Sequence, residues 1–202
     1  IFGFPFARGR LFEDIEKDNH QYEDACDIFW ASGTAFLARR KVVLEAGLFD
    51  EDFFAHMEEI DFCWRLKNNG YKVMYCPSSK VYHIGGGTLP KNNARKTYLN
   101  IRNNIIMLYK NLQSHRLLRV YLLRIFLDFI ASIKFFIDGG FKDLFAVIRA
   151  HLHFIVHFGK YRAKRKLEKQ SKVNNIYWGR IVLAHYAGKK TKFSELDSEK
   201  FT

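Results

Sequence analysis

The chain has 202 residues, 48% hydrophobic and 27% charged, a balance that suits a packed core and excludes a wholly disordered chain. Its 3 prolines and 13 glycines exclude collagen-like and proline-rich classes. The net charge of +12 is uneven: residues 1–100 carry 13 basic and 14 acidic side chains, whereas residues 101–202 carry 20 and 7. A basic second half implies an anionic partner there, either a membrane surface or a nucleic acid.

In chain order, IFGFPFARGR has neither the charged leader nor the small-residue cleavage site of a signal peptide. It reads as the interior of a longer protein. Residues 7–27 are polar and acidic and read as a surface connection. The apolar run 28–38, broken by Ser32-Gly33, predicts a strand, a turn and a second buried strand. Arg39 to Ala46 predicts a short helix with Gly47 at its C-terminal cap. MEEIDFCWRLKNNG predicts a helix with Met57, Ile60, Trp64 and Leu66 on one side and Gly70 as its stop. YKVMYCP and KVYHI read as strands, the second running into Gly85-Gly86-Gly87.

From about Thr97 the pattern is helical. LLRVYLLRIFLDFIASIKFFI, residues 117–137, is the most apolar stretch. At about 100° per residue, Arg119, Arg124, Asp128 and Lys134 fall on one half of this helix. Those charges argue against a spanning segment and for a helix lying in an interface or on a neighbour. Residues 141–158 predict a second amphipathic helix. GKYRAKRKLEKQSK follows with seven basic residues and one acid. Cys26, Cys63 and Cys76 match no zinc spacing and read as reduced thiols.

Residues 29–88 carry the chemistry. Glu58 and Glu59 are adjacent at a helix start, with Asp61 two residues on. Crowded carboxylates repel, and one can be raised toward the proton affinity of a general base. The plain alternative is that acids at a helix start only complement the macrodipole. Asp61 and Arg65, at i,i+4, fit a helix-face ion pair. His83, before the glycine loop, could hold a divalent metal or a phosphate-bearing ligand, or simply form a structural hydrogen bond.

Taken together, W-x-S-G-x-x-F-L-x-R-R, G-x-F-D-E-x-F-F, E-E-I-D-F-C-x-R-L, then G-Y, P and V-x-H, in that order, resemble the second half of a family 2 glycosyltransferase with a GT-A fold. The similarity is to rhamnosyltransferase-like bacterial members that build cell-wall or surface polysaccharides. The resemblance implies an α/β fold. Residues 1–96 would be the C-terminal, acceptor-side part of the GT-A domain, and residues 97–202 a helical, basic, membrane-associated tail.

The resemblance also implies an activity: transfer of a hexose-type sugar, with inversion, from a nucleotide-sugar donor to a hydroxyl of a lipid-linked or polysaccharide acceptor. A divalent cation, Mg²⁺ or Mn²⁺, would neutralise the leaving diphosphate. Glu59 matches the family's base, with Glu58 and Asp61 beside it. Glu stands where Asp is commoner, which leaves the choice between Glu58 and Glu59 open. Ser32, Gly33 and Thr34 match the loop lining the donor sugar, Trp30 and Arg65 fall on the donor and acceptor side, and His83 matches a metal or diphosphate ligand. Asp50-Glu51-Asp52 spells Asp-x-Asp but matches the acceptor-side loop, and is not assigned to metal.

The family's nucleotide-binding strands precede the W-x-S-G segment, and nothing upstream of Trp30 supplies them. The expectation is therefore an N-terminally truncated piece, inactive alone, at the cytoplasmic face of a bacterial inner membrane. A nucleic-acid partner is not expected, because no nucleic-acid motif is present and the aromatics lie within apolar helices. The rival reading is a non-catalytic, membrane-peripheral binding or scaffold module.

Overall fold

The computed structural model describes residues 3–83, 93–137 and 140–202. Helices dominate it, with two small antiparallel sheets among the described residues. In the first, β1 (Arg10–Leu11) pairs with β2 (Asp14–Ile15). In the second, β3 (Cys26–Ile28) pairs with β4 (Val73–Tyr75), with Asp27 opposite Met74.

Between β3 and β4 lie α1 (Arg40–Glu45) and α2 (Glu58–Asn68). Both helices end where glycine permits a left-handed backbone: Gly47 at φ +76° and Gly70 at φ +87°. Two strand expectations fail. After β3 the chain turns at Gly33, and residues 34–38 stay irregular, leaving Phe36 and Leu37 exposed. Among the described residues no neighbouring strand takes up their backbone groups. Residues 80–83 also form no strand, and the rest of that segment, with Gly85-Gly86-Gly87, lies outside the described residues.

The helical half contains α3 (Ala94–Asn111), α4 (Ser114–Ile137), α5 (Phe141–Val156), α6 (Phe158–Leu167) and α7 (Ile181–Tyr186). Asn93 caps α3 by accepting from the Arg95 backbone N–H. α3 is the central element, packing on α2 on one side and most extensively on α5 on the other. The main apolar cluster joins Phe53, Ile60 and Trp64 to Ile101, Ile105, Ile106, Val147, Ala150, Phe154 and Val173. A second cluster folds the C-terminal segment back on the N-terminal one, with Leu11 beneath Tyr177, Ile181 and Leu196.

A buried ionic network ties α2 to α3. Asp61 is fully buried and accepts from Arg65 Nε at 2.9 Å, Lys110 Nζ at 2.9 Å and Asn111 Nδ2 at 2.8 Å. Lys110, 1% exposed, also reaches Asp50 Oδ2 at 2.7 Å and lies over the Phe53 ring. Arg65 donates onward to the carbonyls of Ala46 and Leu48, fixing the end of α1. From α6, Lys164 reaches Asp50 and Asp52, and Lys160 reaches Asp52.

α4 buries one ion pair, leaves Arg119 and Lys134 exposed, and turns much of its apolar side outward. Arg124 and Asp128 are buried and paired at 2.8 Å; Arg124 also donates to Asn104 of α3, and Asp128 meets His151 of α5 at 3.2 Å. Leu118, Leu122, Phe126, Phe129, Ile133 and Phe136 face outward. Among the described residues no helix is long and apolar enough to cross a membrane.

The network yields a stability test. Burial opposes ionisation of Asp50, but Lys110 and Lys164 outweigh it and hold the carboxyl down to about 2 from 3.8. Its pairing therefore stabilises the fold above about pH 4 and is lost as pH falls toward 2. Lys110→Met leaves Asp50 and Asp61 short of a buried cation. It is expected to cost about 3–5 kcal/mol in urea unfolding at pH 7. It should also flatten the loss of stability between pH 4 and 2.

Candidate functional site

The site is built where the loop after the one-turn 3-10 helix Glu51–Phe53 enters α2. Phe54, His56 and Met57 all have left-handed backbones, with φ of 61°, 69° and 72°. Three such non-glycine residues in four positions store strain, and surrounding contacts must hold them. Asn103 of α3 does so. Its fully buried amide donates to the carbonyls of Phe53 (2.9 Å), Ala55 (2.7 Å) and His56 (2.8 Å). Arg102 adds donations to Asp52 O (2.7 Å) and Phe53 O (3.1 Å).

This clamp delivers Glu58 and Glu59 to the first turn of α2. Burial raises the proton affinity of Glu59 and the neighbouring charge of Glu58 adds to it, against the opposing influence of nearby backbone N–H groups, including that of Gly33. Glu58 and Glu59 each keep one buried carboxylate oxygen, and His56 its Nε2, without a hydrogen-bond partner among the described residues. Burial and the charge of Lys96 lower the proton affinity of His56. A half-buried carboxylate of raised proton affinity, with a free oxygen, can accept a proton from an incoming hydroxyl.

The turn expected to line the donor sugar lies against that carboxylate. A Cβ built on Gly33 would stand 3.7 Å from Glu59 Cβ, in ordinary van der Waals contact, so the turn lies directly against that side chain. Ser32 Oγ donates to Thr34 Oγ1 at 3.1 Å and accepts from the Thr34 backbone N–H, which keeps the turn closed. Trp30 is anchored by its indole N–H on the Phe6 carbonyl, at 3.1 Å. Trp30, Ser32 and Thr34 line one side of a groove of about 1620 Å³ that continues over β3, β4 and the C-terminal segment.

The other candidates are placed elsewhere. Asp61 and Arg65 form the expected i,i+4 pair, but in the core: Asp61 is 0% exposed and Arg65 2%. There they brace α2, and neither is on the accessible side with Glu58 and Glu59. Asp50 and Asp52 are engaged by lysines. His83 is exposed, next to the segment outside the described residues. Among the described residues no group of three or more His, Cys, Asp or Glu gathers to hold a metal ion. They do not supply a complete donor set for Mg²⁺ or Mn²⁺.

With this geometry in view, the sequence matches the family described as Glycosyl transferase family group 2 over residues 6–159. The chain belongs to that family. It is also similar to the N-acetylglucosaminyl-diphospho-decaprenol L-rhamnosyltransferases of two Mycobacterium tuberculosis strains, CDC 1551 / Oshkosh and ATCC 25618 / H37Rv. Each is 41% identical over 54 residues, which is 27% of this chain and 18% of the relative. The match thus spans under a fifth of the relatives' length. No solved structure matches the chain.

Three residues of the site, His56, Arg102 and Asn103, were not among the sequence candidates. The signal for two of them was the polar run Arg102-Asn103-Asn104 between apolar residues of the amphipathic helix α3, where polar side chains that must be buried need partners. Asn103→Ala strips the donor from three loop carbonyls. A loss of about 1–3 kcal/mol in urea unfolding is expected, with faster amide exchange confined to residues 53–58.

Proposed function

We propose that the chain is the acceptor-side part of an inverting, GT-A type glycosyltransferase that moves a hexose-type sugar from a nucleotide-sugar to a hydroxyl of a lipid-linked acceptor. One observation carries this reading: a carboxylate of raised proton affinity, Glu59, is held by a clamped, strained loop against the Gly33 turn. Membership of glycosyl transferase family group 2 supports sugar transfer. The diphospho-decaprenol acceptor in the names of the mycobacterial relatives supports a lipid-linked acceptor.

In this reading Glu59 takes the proton of the acceptor hydroxyl as its oxygen bonds to the anomeric carbon. The bond from that carbon to the nucleoside diphosphate breaks on the opposite face, and the diphosphate leaves with the electron pair. Glu58 holds a like charge beside the base and so raises its affinity for the proton. The Ser32-Gly33-Thr34 turn borders the sugar being transferred, and Trp30 offers its ring at the groove edge. Mg²⁺ or Mn²⁺, where bound, would neutralise the leaving diphosphate, and His83 is this chain's candidate to help hold it.

Glu59→Gln in the full-length protein tests the base. Sugar transfer is expected to fall at least about 100-fold. The melting temperature should hold or rise, because a neutral amide replaces a carboxylate that burial disfavours. Undiminished transfer would transfer support to the non-catalytic, membrane-peripheral module.

The same reading places the protein at the cytoplasmic face of the bacterial inner membrane, lying on it through the outward apolar sides of α4 and α5. Of the seven basic residues at 160–172, Lys160, Lys164 and Arg165 are engaged within the protein. Arg162, Lys166, Lys169 and Lys172 are exposed and free to meet anionic phospholipid. Apolar burial therefore contributes more than charge. Replacing the exposed Phe126 and Phe129 together by Asp is expected to weaken sedimentation with phosphatidylcholine vesicles at least about tenfold. Binding that persists would remove α4 from the membrane contact.

A further inference from the structure

Cations crowd one side of the clamped loop. Arg102, while holding the Asp52 and Phe53 carbonyls, lies over the ring of Tyr98 at 5.3 Å. Arg149, from α5, lies over the same ring at 4.8 Å. Arg149 is exposed, and its guanidinium makes no hydrogen bond or ion pair among the described residues. Arg95 sits over Phe54 at 5.1 Å, and Lys96 acts on His56. The Tyr98 hydroxyl is bonded to His153 Nδ1 at 3.1 Å, and His157 stacks on His153 at 4.1 Å. His153 is pushed down to about 4, first by burial and then by His157, Arg102, Lys160 and Arg149. It is therefore neutral at pH 7. Two acids on the same elements are already engaged: Asp52 by Lys160 and Lys164, and Asp143 by the Thr97 hydroxyl at 2.5 Å.

The cluster has two neighbours that define a ligand. On one side, Arg102 holds the carbonyls of Asp52 and Phe53, and the clamped loop 54–57 leads from them to Glu58 and Glu59. On the other, Arg149 is flanked along α5 by Phe145, Ile148 and Leu152, all exposed. Planar guanidinium forks suit phosphate oxygens, and a pair of them suits a diphosphate. A ligand that meets apolar surface, cations and a base in that order has a hydrocarbon tail, an anionic link and a hydroxyl-bearing head.

We propose that Arg149 and Arg102 form a diphosphate-binding site for a prenyl-diphosphate acceptor, whose hydrocarbon follows the apolar side of α5 and whose sugar reaches Glu59. This rests on the transferase reading and assigns the part of the acceptor that the acids do not touch. Arg149 is the free member of the pair, and Arg102 does double duty by holding the loop.

Binding of farnesyl diphosphate to the full chain, measured by calorimetry below its aggregation limit, tests the site. Inorganic diphosphate, uridine diphosphate, and phosphatidylcholine vesicles with and without phosphatidylglycerol serve as comparisons. Arg149→Glu changes an exposed side chain, and circular dichroism checks that the fold is kept. Farnesyl diphosphate is expected to bind and to lose at least about tenfold in affinity in Arg149→Glu, with binding to neutral vesicles unchanged.

Absent or unaltered farnesyl diphosphate binding overturns the proposal. A loss confined to anionic vesicles also overturns it, because the cluster would then serve bilayer headgroups. Equal displacement by uridine diphosphate overturns it in favour of the donor's diphosphate. Glu59→Gln is expected to keep farnesyl diphosphate affinity while losing transfer. Transfer that needs Glu59, alongside prenyl-diphosphate binding indifferent to Arg149, would remove this assignment and leave the transferase reading standing.

Discussion

Asp61 lies at the centre of the molecule without access to water, and Arg65, Lys110 and Asn111 take up its carboxylate oxygens. A lone buried carboxylate would be costly, so the arrangement persists only because its partners arrive from separate elements. Arg65 comes from the same helix and ties α1 down. Lys110 comes from the last turn of α3 and also captures Asp50, which fixes the loop leading to α2. Once Lys110 is in place, Arg102 and Asn103, two turns earlier on α3, fall opposite the strained stretch 53–57. The network thus sets the height of α3 against α2, and the clamp converts that height into a loop conformation. The acid pair inherits its position from this chain of contacts.

The division of labour among the acids follows from where α2 points them. Asp61, on the inner side, has its oxygens taken up by Arg65, Lys110 and Asn111. Burial raises the proton affinity of Glu59, and the neighbouring charge of Glu58 adds to it. Two carboxylates two residues apart on one helix therefore meet different environments. Asp61 supports the fold, and Glu59 keeps an oxygen without a hydrogen-bond partner among the described residues.

Much of this was legible in the sequence where local rules decide the outcome. The bounds of α1 and α2 follow from Gly47 and Gly70, and the helical half follows from its apolar periodicity. The acid pair and the Gly33 turn were recognisable from residue order, and the structure brings them together. Less legible was anything that depends on distant partners. The run 34–38 looked like a buried strand, but pairing needs a neighbour that periodicity does not reveal. Asp61 and Arg65 looked like surface chemistry because a sequence does not show that Lys110 and Asn111 return to cover them. Nothing local marks His56, since its left-handed backbone depends on an amide 47 positions away.

α4 shows the same limit in reverse and explains how the two halves of the molecule cooperate. Its charges were legible as one half of a helix, and the ordinary inference would turn that half to solvent. Asn104 and His151 offer partners that water cannot better, so Arg124 and Asp128 turn inward. With Arg124 and Asp128 spent on α3 and α5, the apolar arc faces outward, flanked by the exposed Arg119 and Lys134. The polar contacts that secure α4 to the molecule are therefore the reason its apolar surface is presented. Stability of the helical half and exposure of its apolar side are one arrangement, because neither Arg124 nor Asp128 can be satisfied without the other outcome.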